Sequence, residues 1–222
     1  MKWLVDFVYP KECVGCSLLG EWLCESCRLE FEKVEQVCLE CMLVSKMGEV
    51  HHGCKKRYGL DGLTAVYEYD EEVMKKLLRK VKFEFNRELL NEFLRLLDFR
   101  VGKKFEVVVP VPLYKNRENW RGFNQAGIIS LEIGKQLELP VVEVLKRVKK
   151  TQQQSGIRKR KDRLRNVKGV FGMVEKSRWK KVLLVDDVFT SGATMREAAG
   201  TLKKAGVKEV WGVVLARGGY SI

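Results

Sequence analysis

Two adjacent carboxylates, Asp186 and Asp187, are followed closely by Thr190, Ser191, Gly192, Ala193 and Thr194, and together these residue types suit a ligand that carries a diol and a phosphate. Paired acids accept hydrogen bonds from two neighbouring hydroxyls. A Thr/Ser turn with a glycine lets the backbone approach an anion, and the first amides of a following helix point at it. A second chemistry lies near the front of the chain. Cys13 and Cys16, Cys24 and Cys27, and Cys38 and Cys41 form three CxxC pairs, followed by His51, His52 and Cys54. The two-residue gap lets both sulfurs of a pair reach one tetrahedral ion, and four thiolates close a structural zinc site.

The elements that position the acids are legible. Val182 to Val185 is an apolar run without polar alternation, the pattern of a parallel strand covered on both faces. Asp186 and Asp187 are therefore expected at its C-terminal edge, where open α/β sheets place ligands. A helix from Met195 to Ala205, capped by Gly206, and a last strand from Glu209 to Leu215 complete the unit. The stretch from Val182 to Thr194 resembles the phosphoribosyl pyrophosphate (PRPP) motif of type I phosphoribosyltransferases. Phe189 stands where that motif usually has an aliphatic residue. The competing reading is an ordinary strand, turn and helix with an acidic turn.

With 222 residues and 45% hydrophobic content, the chain can bury a core. No apolar run is long enough to span a bilayer, and the opening segment lacks the form of a signal peptide, so a cytoplasmic protein without membrane insertion is expected. The net charge of +13 is uneven: residues 1–62 hold 8 Lys and Arg against 10 Asp and Glu, a net of −2, which leaves +15 on the rest. All the cysteines and both histidines lie in the first part. A boundary near residue 62 follows, with a Cys-rich zinc module at 1–62 and a larger domain at 63–222.

Disulfides fit the cysteines poorly, because their number is odd and no export signal is evident. Cys13, Cys16, Cys24 and Cys27 make one Cys₄ site, although spacing equally allows the first and third pairs to share an ion. Cys38, Cys41 and Cys54 give three ligands to a second site that His51 or His52 would complete, His52 being the candidate carried forward. Arg57 stands where a further CxxC would end. One Zn²⁺ is expected and two are allowed.

Beyond residue 62, Ala65–Tyr69 reads as a short strand and Asp70 as the N-cap of a helix with Val73, Leu77, Leu78 and Val81 on one stripe. Lys75, Lys76, Arg79, Lys80 and Lys82 are expected to face outward. A second amphipathic helix spans about Arg87 to Leu97, and Phe105–Val109 reads as a central strand running into PVPLYKNR. Pro110 and Pro112 end its ladder. The string RGFNQA at Arg121 opens a helix to about Leu137. Strands near Val141–Val144 and Val170–Val174 flank a stretch, Lys146–Lys168, with 11 basic residues against Asp162 alone. Such a stretch suits a mobile lid or a backbone-led grip on single-stranded DNA.

VPVPL, RGFNQA, TQQQSG, the Arg163 and Asn166 pair and Gly169–Phe171, with the cysteine pairs in front, occur in the order of the ComF (competence protein F) family, which this chain resembles over essentially its whole length. The resemblance implies an α/β fold: a type I phosphoribosyltransferase-like parallel sheet flanked by helices, with a small N-terminal zinc module, associated with DNA uptake in natural transformation. It places PRPP, or a related phosphorylated ligand, with Mg²⁺ on Asp186, Asp187, Thr190, Ser191, Gly192, Ala193 and Thr194. Val111, Pro112, Leu113 and Lys115 fall in its pyrophosphate loop, which in type I enzymes often contains a cis bond not involving proline. Arg147, Thr151, Gln154, Ser155 and Gly156 fall in its flexible loop. Competence machinery is an implied partner. The zinc module or the helices after it would have to hood the site, since little chain follows the last strand. No Walker A string or G-x-S-x-G elbow competes, and no side chain is identifiable as a base. A protein of DNA uptake with a PRPP site is the leading expectation; a phosphoribosyltransferase acting on an unknown base or amine is the second.

Overall fold

The computed structural model describes residues 10–57, 59–84, 86–114, 122–149 and 167–218. Its centre is a four-stranded parallel sheet built from β1 (Gly62–Glu68), β2 (Val107–Pro110), β5 (Lys181–Phe189) and β6 (Glu209–Arg217), in the order β1-β6-β5-β2. The expected class, a parallel sheet flanked by helices, is what the chain forms. Because every strand runs the same way, Glu68, Pro110, Phe189 and Arg217 end at one edge, and the loops after them converge there.

Alternate residues of β5 serve two cores. Leu183 and Val185 pack with α2 (Glu72–Phe83), α3 (Arg87–Arg95) and α4 (Gln125–Leu137). Val182 and Leu184 pack with α5 (Ala193–Lys204) and with the antiparallel ribbon of β3 (Leu145–Arg147) and β4 (Phe171–Met173). All four are fully buried, as strands covered on both faces require. The stripe of α2 is as read, with Val73, Met74, Leu77, Leu78 and Val81 inside. Asn86 caps α3 by accepting from the Leu89 amide at 2.8 Å.

Several local expectations change. Helix α2 is entered at Glu71 rather than Asp70, without a side-chain cap. Glu71 instead turns its carboxylate to the Glu32 amide at 2.8 Å, and Asp70 offers its carbonyl to Lys75. The expected central strand Phe105–Val109 is β2, at the end of the sheet. The expected strand at Val141–Val144 is one parallel bridge, Val141 to Val108, followed by β3. Pro140 cannot donate there, which limits the ladder.

The Cys-rich part is built into both cores rather than appended to them. Cys13, Cys24, Cys27 and the short helix α1 (Glu25–Leu29) join the α2–α3 side, and Phe31 meets Phe93 edge-on at 5.6 Å. Val34, Cys38, Leu39 and Val50 join the α5 side. Lys33 pairs with Tyr67 in an antiparallel bridge, so the chain after α1 covers the outer edge of β1. No described helix is long and apolar enough to cross a membrane.

Candidate functional site

Strand β5 continues past its apolar run to Phe189, so Asp186 and Asp187 lie within the strand rather than after it. Successive residues of a strand point to opposite faces, and the two acids meet different neighbours accordingly. Asp187 faces α2, where Lys82 Nζ lies 2.6 Å from its Oδ2. Lys82 is therefore not an outward-facing lysine; its side chain is 25% exposed and that of Asp187 14%. Burial works against the ammonium, but Asp187, with Asp186 and Tyr69 behind it, holds its pKa above the usual lysine value. Asp186 is influenced from the other side by Arg147 on β3. Burial and then the neighbouring Asp187 push its carboxyl up to about 7, against the opposing pull of the Asp187 amide, Lys82 and Arg147.

One oxygen of each acid is held. Asp186 Oδ1 accepts from the Asp187 amide at 2.9 Å, and Asp187 Oδ2 takes Lys82. No described residue donates a hydrogen bond to Asp186 Oδ2 or Asp187 Oδ1. Among the described residues, then, two acceptors of the pair have no donor.

Beside them, Gly192 has φ +70°, and a Cβ there would stand 2.3 Å from Phe189 Cζ. Phe189, the departure from the PRPP motif, is buried under the turn as its floor. The turn delivers the chain into α5 at Ala193, whose amide donates to Ser191 Oγ at 3.4 Å. The first-turn amides of a helix have no carbonyls of their own, and in α5 this turn begins at Ala193, directly after Gly192.

The loop after β2 is more constrained than expected. The Val111 amide donates to Val185 O at 2.8 Å, and Pro112 has no amide hydrogen, so of Val111, Pro112 and Leu113 only Leu113 keeps a donor for an anion. Val111 O is held in turn by Asn124 Nδ2 at 3.1 Å, which ties this loop to the start of α4. No cis peptide bond occurs among the described residues. Lys115 lies outside them, as do Thr151, Gln154, Ser155, Gly156 and most of Lys146–Lys168. Arg147 is described: it is half-buried at the end of β3, its guanidinium carbon 5.5 Å from the centre of the Phe171 ring.

The cysteines gather as the first and second pairs, Cys13, Cys16, Cys24 and Cys27, and as Cys38, Cys41, His51 and Cys54. In each group the ligand atoms lie within 4.8 Å of one another, and both groups could hold a metal ion. His51, not His52, joins the second group, because the turn His52–Cys54 carries its neighbour away while His51 Nδ1 comes 3.3 Å from Cys41 Sγ. The donor sets are those of tetrahedral zinc centres. Burial opposes ionisation of Cys13, yet the amides of Cys24, Cys16 and Gly15 hold its thiol down at about 6. Burial opposes ionisation of Cys38 as well, and there the amides of Cys41, Glu40 and His51 hold the thiol at about 7. Both thiols are thus prepared for the thiolate form that a metal takes.

Glu40 links the second group to the turn beside Gly192. Lying between Cys38 and Cys41, it pairs with Arg196 in the first turn of α5, and Arg196 also donates to Leu39 O at 3.0 Å. Sequence patterns missed both Lys82 and this link. For Lys82 a signal existed: it sits four residues after buried Leu78, at the margin of the apolar stripe. For Glu40 and Arg196, 156 residues apart, there was none.

Residues 120–221 match the phosphoribosyl transferase domain family. Over 220 residues the chain is 32% identical to competence protein F of Haemophilus influenzae, covering 92% of this chain and 90% of that protein. The chain belongs to the ComF family. A further member, competence protein ComFC of Bacillus subtilis, is 30% identical over 84% of this chain and 80% of its own length. The DNA utilization protein YhgH of Escherichia coli is 27% identical over 91% and 96%. Among solved structures, glutamine PRPP amidotransferase of Bacillus subtilis aligns with 56% of this chain and 25% of its own at 18% identity and a TM-score of 0.37.

Proposed function

We propose that this ComF-family chain serves DNA uptake or single-stranded DNA handling and binds PRPP, or a related ribose phosphate, with Mg²⁺ at the end of β5. The observation that carries the reading is the pair of carboxylate oxygens, Asp186 Oδ2 and Asp187 Oδ1, to which no described residue donates, beside the glycine turn that opens α5. The acids take the ribose hydroxyls, and the turn with Thr190, Ser191 and Thr194 takes the 5′-phosphate. Leu113 and Lys115 serve the pyrophosphate. When bound, Mg²⁺ neutralises phosphate charge, and Asp186 and Asp187 offer the hard oxygen ligands it prefers. The names of the relatives, competence and DNA utilization proteins, favour the DNA role, with the Lys146–Lys168 stretch gripping the backbone.

Residues 1–62 form the metal module in this reading, with Zn²⁺ in each cysteine group, and 63–222 the phosphoribosyltransferase-like domain. The module hoods the site: its Glu32, Glu35 and Glu40 stretches meet Glu68, Arg217 and Arg196 at the edge where the strands end. Isothermal calorimetry with PRPP and Mg²⁺, repeated with short single-stranded DNA present, tests the proposal. Saturable heat that Asp187→Ala abolishes is expected; heat unchanged in Asp187→Ala, or none in the unaltered protein, overturns it. Release of pyrophosphate on adding a base or amine would extend the reading to a catalysed transfer.

A further inference from the structure

On the ribose-phosphate reading, the ion pair of Lys82 with Asp187 also bears on which sugar the site takes. Lys82 reaches the site from α2, on the opposite face of the sheet from the ribbon that bears Arg147. It meets one carboxylate oxygen, and the other is left to the ligand. A carboxylate rotates freely about its last torsion unless something holds it. Lys82, 2.6 Å from Oδ2, is the described group that holds Asp187 in one orientation.

We propose that Lys82 is a positioning residue that orients Asp187 so that its Oδ1 and Asp186 Oδ2 together accept the vicinal 2,3-hydroxyls of a ribose phosphate, which makes the site selective for ribose over 2-deoxyribose. A site built to hydrogen-bond a hydroxyl rejects the analogue without it, because a carboxylate oxygen withdrawn from water is then left unsatisfied. The deoxyribose end of a DNA strand offers one hydroxyl, not two, so the same geometry steers DNA away from the acids and toward other basic surface.

The test is calorimetric titration with ribose 5-phosphate and with 2-deoxyribose 5-phosphate, on the unaltered full chain, Lys82→Met and Lys82→Gln, with melting curves to establish that each variant folds. The unaltered chain is expected to prefer the ribose compound by about tenfold or more. In Lys82→Met the preference for the ribose compound over the deoxy compound is lost; a general structural defect would weaken both alike and leave their ratio as it is in the unaltered chain. Lys82→Gln, which keeps a donor but no charge, falls between. A preference equal to that of the unaltered chain in either folded variant overturns the role of Lys82 and leaves the ribose-phosphate site standing. Binding of neither compound by the unaltered chain overturns the site and this inference together.

Discussion

Glu40 and Arg196 join a cysteine knuckle to the helix that opens beside Gly192. Arg196 engages the Glu40 carboxylate and the Leu39 carbonyl at once, and Lys56 holds Glu40 from its other side. Burial works to raise the Glu40 carboxyl, but Lys56 and Arg196 hold it below its ordinary value. Its stabilising contribution is present above the unfolded carboxylate range and lost as pH falls through the lowered value. Arg196→Met should therefore cost about 1–3 kcal/mol near neutrality, and the loss should shrink in acid. Thermal melts of both proteins across that range measure it.

Gly192→Ala should cost about 1–2 kcal/mol from its left-handed backbone alone, with a further cost from the approach to Phe189. The variant should also lose sugar-phosphate binding. Phe189→Leu, which shortens the side chain under the turn, should recover part of the stability when combined with it. A double-mutant cycle by chemical denaturation reads this coupling; strictly additive costs would mean that the ring does not limit the turn.

The Asp186 carboxyl, pushed up to about 7, is partly protonated near neutrality. A ligand that brings Mg²⁺ to it should expel that proton. Calorimetry in buffers of different ionisation enthalpy should show release of up to one proton below about pH 7, fading in more alkaline buffer. The sign for stability is opposite to that of Glu40: the folded value lies above the unfolded one, so the contribution is full in acid below the unfolded value and lost as pH rises through about 7. Asp186→Asn should accordingly raise the melting temperature in alkaline buffer while weakening the ligand.

Zinc content should separate the two histidines. Elemental analysis of His51→Ala should show the loss of about one metal per chain relative to the unaltered protein, and His52→Ala should show none. Because Cys13, Cys24 and Cys27 sit in the same core as Phe31, Val73 and Phe93, Cys27→Ser or a strong chelator should lower the melting temperature of the whole chain rather than melt a separate module. A metal-independent melt would count against structural zinc.

The core of β5, the helical stripes and the glycine turn were legible because each is written in neighbouring residues: the apolar run Val182–Val185, the spacing of Val73, Leu77 and Val81, and the Thr-Ser-Gly string. The extent of β5 was less legible, because Asp186 and Asp187 look like a strand's end until the ladder to β6 carries them on to Phe189. His51 and His52 could not be told apart by spacing; a single turn at His52–Cys54 decided between them.

Local periodicity, short spacings and backbone freedom write the parallel α/β scaffold, the cysteine pairs and the glycine that opens the turn into neighbouring residues. Packing alone brings Lys82 to one oxygen of Asp187, Glu40 to Arg196, and the cysteine groups into the cores of the sheet. Those pairings join residues far apart in the chain, and no local pattern encodes a distance that exists only once helices and sheet have packed together.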